Sequence, residues 1–130
     1  MKPSTGALSA VKRSPFTAGI YPFGIAIDPT GKFLYVANEV NTETTANSGS
    51  SSVYACKINP STGTLSEVRG SPFATGTDPY GIAVDLKGKF LYVSNHVSAN
   101  VSAFTINPNT GGALSEVSGS PQPERTPKES

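Results

Sequence analysis

An all-β fold is predicted for this sequence of 130 residues by three observations. Most apolar residues fall in runs of four to seven that are rich in Val, Ile, Phe and Tyr, the residues favoured in strands. The chain has 13 Gly and 11 Pro, which separate these runs and supply many turns. Long blocks of sequence also return in the same order along the chain. No run shows the spacing of an amphipathic helix, so we expect essentially no helix.

The repeat consists of two blocks that each occur twice. Residues 22–38 return as 79–95 at an offset of 57, and residues 53–60 return as 101–108 at an offset of 48. The offsets differ because 14 residues separate the two blocks in the first copy and five separate them in the second. The repeating unit is therefore about 48 residues long, and the first copy carries an insertion.

The first two strands of the unit are predicted at 23–28 and 32–37. Between them, Asp-Pro-Thr-Gly at 28–31 supplies Pro at the second position of a tight turn and Gly after it. Both strands are apolar on both faces, which is typical of a sheet that is covered on both sides. We therefore expect one sheet to stack between others.

The last two strands of the unit are predicted at 52–58 and 64–69. The sequence Asn-Pro-Ser-Thr-Gly at 59–63 forms the turn between them, and it returns as Asn-Pro-Asn-Thr-Gly at 107–111. Strand four alternates apolar and polar residues, as an outer strand with one solvated face does.

A four-stranded antiparallel meander of about 40 to 50 residues that repeats in tandem is the blade of a β-propeller, so the prediction is a partial propeller. Residues 20–71 form blade one, with a long inserted loop at 39–52, and residues 72–121 form blade two. Residues 1–19 match the orphan outer strand of a preceding blade and its connection. Residues 122–130 are polar and Pro-rich, and we expect a disordered tail there.

Short motifs within the blades carry a resemblance to a known family. Tyr-Val-Ala-Asn at 35–38 and Tyr-Val-Ser-Asn at 92–95 each follow Gly-Lys-Phe-Leu, and Ser-Pro-Phe occurs at 14–16 and 71–73. With these motifs, residues 3–121 resemble the lactonase-like seven-bladed β-propellers with YVTN-type repeats, a family that includes 6-phosphogluconolactonase and carboxymuconate cyclase relatives. The resemblance implies lactone hydrolysis, a small lactone or carbohydrate-derived ligand, and a cell-envelope or extracellular setting.

About two and a quarter blades leave two sheet faces without a neighbouring blade. Each face measures about 380 Å² in projection, from strands ~4.8 Å apart and ~20 Å long. Exposed apolar patches of this size usually mark an interface. We therefore expect either a fragment of a larger propeller, whose missing blades cover these faces, or a homo-oligomer that closes a ring with copies of itself.

Composition argues against several classes of partner. Ten basic and nine acidic residues give a net charge of +1, so no nucleic acid partner is expected. The longest apolar run, residues 33–37, is far shorter than the ~18 residues that span a bilayer, so no membrane insertion is expected. No apolar segment typical of a signal peptide follows Met1, and the compartment stays open.

No cofactor and no metal are expected, because the sequence has no Gly-rich phosphate loop and only one His and one Cys as soft ligands. The Gly-x-Ser-x-Gly motif of Ser hydrolases is also absent. Cys56 takes the repeat position of Phe104 and is interpreted as a core thiol. Asp28 and Asp85 recur at the same hairpin turn, which indicates a structural role in local hydrogen bonding.

Three titratable residues are candidates for catalysis. His96 follows the second strand of blade two, and Glu39 takes the equivalent position in blade one. The resemblance implies that this loop lies on the propeller face with the pocket, where His and Glu could act as acid and base on an ester or lactone. The alternative is that both are ordinary residues of a variable loop. Asp78 is either a carboxylate that faces the central channel or a turn-forming residue before Pro79.

Two functions from different classes follow. The missing blades favour a non-catalytic propeller segment that acts as a binding or assembly scaffold, or a fragment of a larger propeller. The alternative is a lactonase-like hydrolase that needs further blades or self-association and uses His96, Glu39 and Asp78. Propellers host both kinds of function without a change in their cores.

Overall fold

The computed structural model describes residues 6–16, 22–38, 51–76 and 78–120. These residues form two antiparallel sheets and one short 3-10 helix, Pro108–Thr110. The all-β prediction is confirmed. The described residues contain no helix that is long and apolar enough to cross a membrane.

The first sheet is blade one. Its strands are β1 Pro22–Ile27, β2 Phe33–Asn38, β3 Ser52–Ile58, β4 Leu65–Glu67 and β5 Phe73–Ala74. The first four are neighbours in chain order, each antiparallel to the next, and β5 pairs with the beginning of β3.

The fourth strand of blade one is shorter than predicted. The sequence predicts residues 64–69, whereas β4 ends at Glu67. A turn follows, in which the Ser71 N–H donates to the Val68 carbonyl at 3.0 Å and Gly70 has a φ of 90°. This turn redirects the chain back to β3 as β5, so the sheet has five strands where four are predicted.

The second sheet is blade two, with the strands β6 Pro79–Val84, β7 Phe90–Asn95, β8 Asn100–Asn107 and β9 Ala113–Glu116 in that spatial order. Both blades share one irregularity. The register of the first two strands shifts between Pro22 and Ile25 in blade one, and between Pro79 and Ile82 in blade two. The sequence repeat is therefore also a repeat of strand register.

The hairpin between the first two strands of each blade is held by an Asp, as predicted. The Asp28 Oδ1 atom accepts hydrogen bonds from the N–H groups of Lys32 at 2.9 Å and Phe33 at 2.8 Å. The Asp85 Oδ1 atom accepts the equivalent bonds from Lys89 at 2.7 Å and Phe90 at 2.8 Å. These carboxylates satisfy backbone donors at the beginning of the second strand of each blade.

The hydrophobic core lies between the two blades. Tyr35, at the centre of the blade-one side, is fully buried, and its hydroxyl donates to the Gly112 carbonyl of blade two at 3.0 Å. Burial, with a smaller effect of Asp28, raises the pKa of this hydroxyl well above its usual range. The buried core cluster consists of Phe33, Tyr35, Val53, Ala55 and Val68 from blade one, and Leu91, Val93, Phe104, Ile106 and Leu114 from blade two.

The outer faces of the pair are covered unevenly. Every residue of β2 is buried, and so is Cys56, as predicted for a core thiol. Burial raises the pKa of the Cys56 thiol, and Glu67 adds to the shift. In contrast, Ile25 of β1 is 62% exposed and Tyr92 of β7 is 42% exposed. The expectation that the first two strands of a blade are covered on both faces therefore holds for β2 but is wrong for β1 and β7.

The leading segment differs from the predicted outer strand. Residues 6–16 form no strand. Val11 nevertheless contacts blade one, because a Cβ atom built at Gly63 would lie 3.3 Å from Val11 Cγ2. Residues 39–50 of the inserted loop and the tail at 122–130 lie outside the described residues, so those predictions stay untested.

Candidate functional site

A pocket of about 320 Å³ opens on the side of blade two that faces away from blade one. It lies where β6 begins and where β7 continues into β8, beside the exposed side chains of Tyr80 and Val101. The lining residues are Tyr80, Ser94, Asn95, His96, Ala99, Asn100 and Val101.

Strand register brings Asp78 and His96 together at this pocket. Pro79 pairs with Asn95, so the residue before β6 lies beside the residue after β7. The His96 N–H donates to the Asp78 carbonyl at 2.8 Å, and His96 Nδ1 lies 3.3 Å from Asp78 Oδ2. The His96 side chain is 72% exposed, whereas that of Asp78 is only 12% exposed. An accessible imidazole is therefore oriented by a largely buried carboxylate.

The backbone of Asp78 is held in an unusual conformation. Its φ of 64° is in the left-handed region, which residues other than Gly seldom adopt. Its N–H donates to Ser51 Oγ at 3.0 Å, which ties the beginning of β6 to blade one. Its second carboxylate oxygen, Oδ1, is buried and has no hydrogen-bond partner among the described residues. Both interpretations of Asp78, as a turn-forming residue and as a carboxylate that faces the central channel, stay predictions.

The lining residue Asn95 has a buried, hydrogen-bonded side chain. The Asn95 Nδ2 group donates to Asn100 Oδ1 and to Ser102 Oγ, both at 2.9 Å. A Cβ atom built at Gly76 would lie 2.8 Å from Asn95 Cγ, so only Gly leaves space for this side chain. Asn95 is 1% exposed, and burial with satisfied donors fixes its rotamer.

An aromatic wall links the pocket to blade one. The Tyr80 ring lies between the rings of Phe23 and His96, with centroid separations of 4.0 Å and 5.9 Å. Tyr80 is still 47% exposed, so part of its ring is open to solvent. A flat apolar ring next to amide and hydroxyl groups suits a ligand with both apolar and hydroxylated faces.

The three predicted site residues have different outcomes. His96 and Asp78 lie together, although the sequence suggests His96 and Glu39 as the pair and treats Asp78 separately. Glu39 lies outside the described residues, so its role stays a prediction. Among the described residues, no three His, Cys, Asp or Glu side chains group as metal ligands.

Tyr80 and Ser94 are pocket residues that were not predicted from the sequence. The signal was available in the repeat, because these positions carry Phe23 and Ala37 in blade one. Blade two therefore has a hydroxyl at two positions where blade one has an apolar side chain. Asn100 likewise takes the position of Ser52, at the offset of 48.

Two stacked antiparallel sheets, one of five strands and one of four, define this protein as part of a β-propeller. The family described as "Lactonase, 7-bladed beta-propeller" matches residues 1–126, and the chain belongs to this family. The resemblance noted in the sequence is confirmed.

Individual relatives agree with this assignment. A Bacillus subtilis (strain 168) protein named 6-phosphogluconolactonase is 27% identical over 111 residues, which cover 82% of this chain and 29% of the relative. The crystal structure of a putative 6-phosphogluconolactonase from Bacteroides fragilis NCTC 9343 matches 79% of this chain and 26% of its own, with 23% identity and a TM-score of 0.65. A putative 6-phosphogluconolactonase from Bacteroides uniformis ATCC 8492 matches 75% of this chain and 25% of its own, with 25% identity and a TM-score of 0.64. The chain spans between a quarter and three tenths of the length of these relatives.

Proposed function

We propose that this chain provides the His96–Asp78 site of a lactonase-like hydrolase that opens a sugar lactone. The single observation that carries the proposal is the exposed His96 imidazole, with Nδ1 3.3 Å from the largely buried Asp78 carboxylate, beside a pocket of about 320 Å³. Family membership and the names of the relatives support the reaction class.

In the proposed mechanism, His96 is a general base and then a general acid. The Nδ1–H group donates to Asp78, which leaves Nε2 free to accept a proton. Nε2 takes a proton from water while the water oxygen attacks the lactone carbonyl carbon. The bond between that carbon and the ring oxygen then breaks, and the imidazolium returns the proton to the ring oxygen. The product is a hydroxy acid, and Asp78 stabilises the imidazolium between the two steps.

The pocket chemistry supports a sugar ring as the substrate. The exposed part of the Tyr80 ring offers a surface for the C–H face of a pyranose, and Ser94 and Asn100 offer hydrogen bonds for its hydroxyl groups. Among the described lining residues none is Lys or Arg. We therefore expect gluconolactone itself to be accepted at least as well as its 6-phosphate.

Hydrolysis of δ-gluconolactone and of its 6-phosphate tests the proposal, using wild type, His96→Ala, Asp78→Asn and the control Val97→Ala. Val97 neighbours His96 and is 64% exposed but does not line the pocket. We expect wild type and Val97→Ala to be equally active, and His96→Ala to lose about 100-fold or more. Asp78→Asn should keep substrate affinity and lose turnover, since it disturbs the tautomer of the His96 imidazole and leaves the residues that line the pocket unchanged. Activity that survives in His96→Ala, or no activity in the folded wild type, would contradict the proposal.

A second candidate is a non-catalytic scaffold, and the exposed sheet faces favour it. Ile25 and Ile27 on blade one, and Tyr92 and Val101 on blade two, are each more than 40% exposed. Apolar side chains in such a row are typical of a docking surface. Association without hydrolysis would favour this candidate over the hydrolase.

A further inference from the structure

The segment that connects blade one to blade two, residues 75–78, is held at both ends by Ser51. The Thr75 N–H donates to the Ser51 carbonyl at 3.2 Å, and the Asp78 N–H donates to Ser51 Oγ at 3.0 Å. Ser51 directly precedes β3 of blade one, whereas Asp78 directly precedes β6 of blade two. The two hydrogen bonds therefore fix the beginning of blade two relative to blade one.

The side chain of Asp78 makes few contacts that could hold its carboxylate in place. Oδ2 lies 3.3 Å from His96 Nδ1, and the buried Oδ1 has no hydrogen-bond partner among the described residues. The imidazole of His96 is 72% exposed, so packing does little to hold it. The position of the carboxylate therefore depends on the backbone of Asp78.

That backbone is held by two hydrogen bonds in a conformation that needs support. A φ of 64° at a residue other than Gly persists only where the surrounding structure fixes it. The Asp78 carbonyl accepts the His96 N–H at 2.8 Å, and the Asp78 N–H donates to Ser51 Oγ. Of these two bonds, only the one to Ser51 depends on a side chain.

The three side chains in this series of contacts all differ from their equivalents in the repeat. The equivalents are Ala99 for Ser51, Tyr21 for Asp78 and Glu39 for His96. By contrast, Pro79 and Asn95, which are next to Asp78 and His96 in the sequence, match Pro22 and Asn38. Blade two forms β8 with Ala at the position of Ser51, so a blade does not require the hydroxyl. Departures from the repeat that contact one another favour a role in function.

We propose that Ser51 is a positioning residue for His96 and acts through Asp78. The Ser51 hydroxyl holds the Asp78 N–H and so keeps the carboxylate beside Nδ1 of the imidazole. The neutral imidazole then carries its proton on Nδ1 and leaves Nε2 free. Ser51 itself does not line the pocket. The positioning role rests on the proposed hydrolysis, whereas the tautomer is a property of the chain without substrate.

The ¹⁵N chemical shifts of the imidazole test the proposal, because they differ between the Nδ1–H and Nε2–H tautomers. The chain has one His, so every imidazole signal belongs to His96. The spectra are recorded on the full chain, on the alkaline side of the imidazole titration, which the same spectra locate. Asp78→Asn provides the reference for an imidazole without the carboxylate. Circular dichroism and thermal melting verify that each variant is folded.

The variants separate the hydroxyl from the rest of the side chain. Ser51→Ala removes the acceptor of the Asp78 N–H, whereas Ser51→Thr retains it. Ser51→Val has the size of Ser51→Thr but no hydroxyl. Ser71→Ala is a matched control, since Ser71 Oγ accepts the Ala55 N–H at 2.9 Å. That bond has the same chemistry and does not involve Asp78.

We expect the Nδ1–H tautomer in wild type, in Ser51→Thr and in Ser71→Ala. Ser51→Ala and Ser51→Val should shift towards the signals of Asp78→Asn. In hydrolysis, Ser51→Ala should lose about 10-fold in kcat with KM unchanged, because a small displacement of a catalytic group costs up to ~100-fold. Ser71→Ala should hydrolyse the lactone at the wild-type rate.

A folded Ser51→Ala with the wild-type tautomer would overturn the proposal, and so would an equal shift in Ser71→Ala. Loss of the fold in both Ser51→Ala and Ser51→Val would assign Ser51 a purely structural role and overturn it as well. A wild type without the Nδ1–H tautomer would contradict both the proposal and the proposed mechanism. Tautomers that respond as expected in a chain that does not hydrolyse lactones would contradict only the proposed function.

Discussion

At the scale of single residues, the hairpin carboxylates connect protonation to stability. Burial alone would raise the pKa of Asp28, but hydrogen bonds from the Thr30 hydroxyl and from the N–H groups of Phe33, Thr30 and Lys32 outweigh it. The pKa therefore lies below its ordinary value of 3.8. The hydrogen bond from the Phe90 N–H likewise lowers the pKa of the exposed Asp85.

We predict that Asp28→Asn reduces the acid sensitivity of the fold. A carboxylate with a lowered folded-state pKa stabilises the protein fully above 3.8, and this contribution is lost as pH falls through the folded-state value. Urea unfolding at pH 6 and pH 3 should therefore show a smaller difference in unfolding free energy for Asp28→Asn than for wild type. An equal difference for the two proteins would contradict the assignment of this linkage to Asp28.

The roles of single residues were predictable from the sequence only where their partners are close along the chain. The structural role of Asp28 and Asp85 was predictable because its partners lie within five residues along the chain. The pairing of Asp78 with His96 was not, since it depends on the register that places Pro79 opposite Asn95. A register of this kind follows from the whole sheet and its bulge, and local sequence does not specify it.

At the scale of elements, the turn between β8 and β9 connects the two blades. In the repeat, the stretch from Asn107 to Leu114 is one residue longer than its equivalent from Asn59 to Leu65, and it contains Gly112, with a φ of 89°. The carbonyl of Gly112 accepts the Tyr35 hydroxyl. A Cβ atom built there would lie 2.5 Å from Cδ1 of Phe33. Gly112 therefore allows close contact between the blades as well as a left-handed backbone.

We predict that Gly112→Ala destabilises the protein more than the neighbouring Gly111→Ala. Gly111 also has a positive φ, 84°, but its new Cβ would meet only the flexible Lys57 side chain, at 3.6 Å. Gly111→Ala should cost about 1 kcal/mol for the backbone alone. Gly112→Ala adds a clash with Phe33, about 1–3 kcal/mol more. Denaturant unfolding measures both, and equal losses would show that Gly112 does not limit the contact.

Strand positions were largely predictable because strands and turns are encoded locally. The predicted third strand agrees with β3 in both bounds, and the first two agree with β1 and β2 within one residue. The strand β5 was not predictable, since it forms only after a turn with Gly70 at positive φ returns the chain to β3. Likewise, the outer-strand sequence at residues 6–16 does not form a strand.

At the scale of the whole molecule, the core belongs to neither blade alone. Its ten buried members are divided equally between the sheets, and Tyr35 bonds across the boundary. Each blade by itself would expose its half of that cluster. The repeat predicted two equivalent blades, but it could not show which face of each is buried, because both faces carry apolar residues.

We expect the two blades to unfold together, because they are stabilised by their shared core. Native-state hydrogen exchange measures this most directly, by comparing opening free energies of the amides in the ladder of β2 with β3 and in that of β7 with β8. We predict the same opening free energy in both ladders, equal to the free energy of global unfolding. Leu91→Ala removes a fully buried side chain from the blade-two side, and we predict that it lowers the opening free energy equally in both ladders. Protection that persists in one ladder while the other exchanges would show that the blades unfold independently. A loss of protection that is confined to blade two in Leu91→Ala would show the same and contradict the shared unfolding.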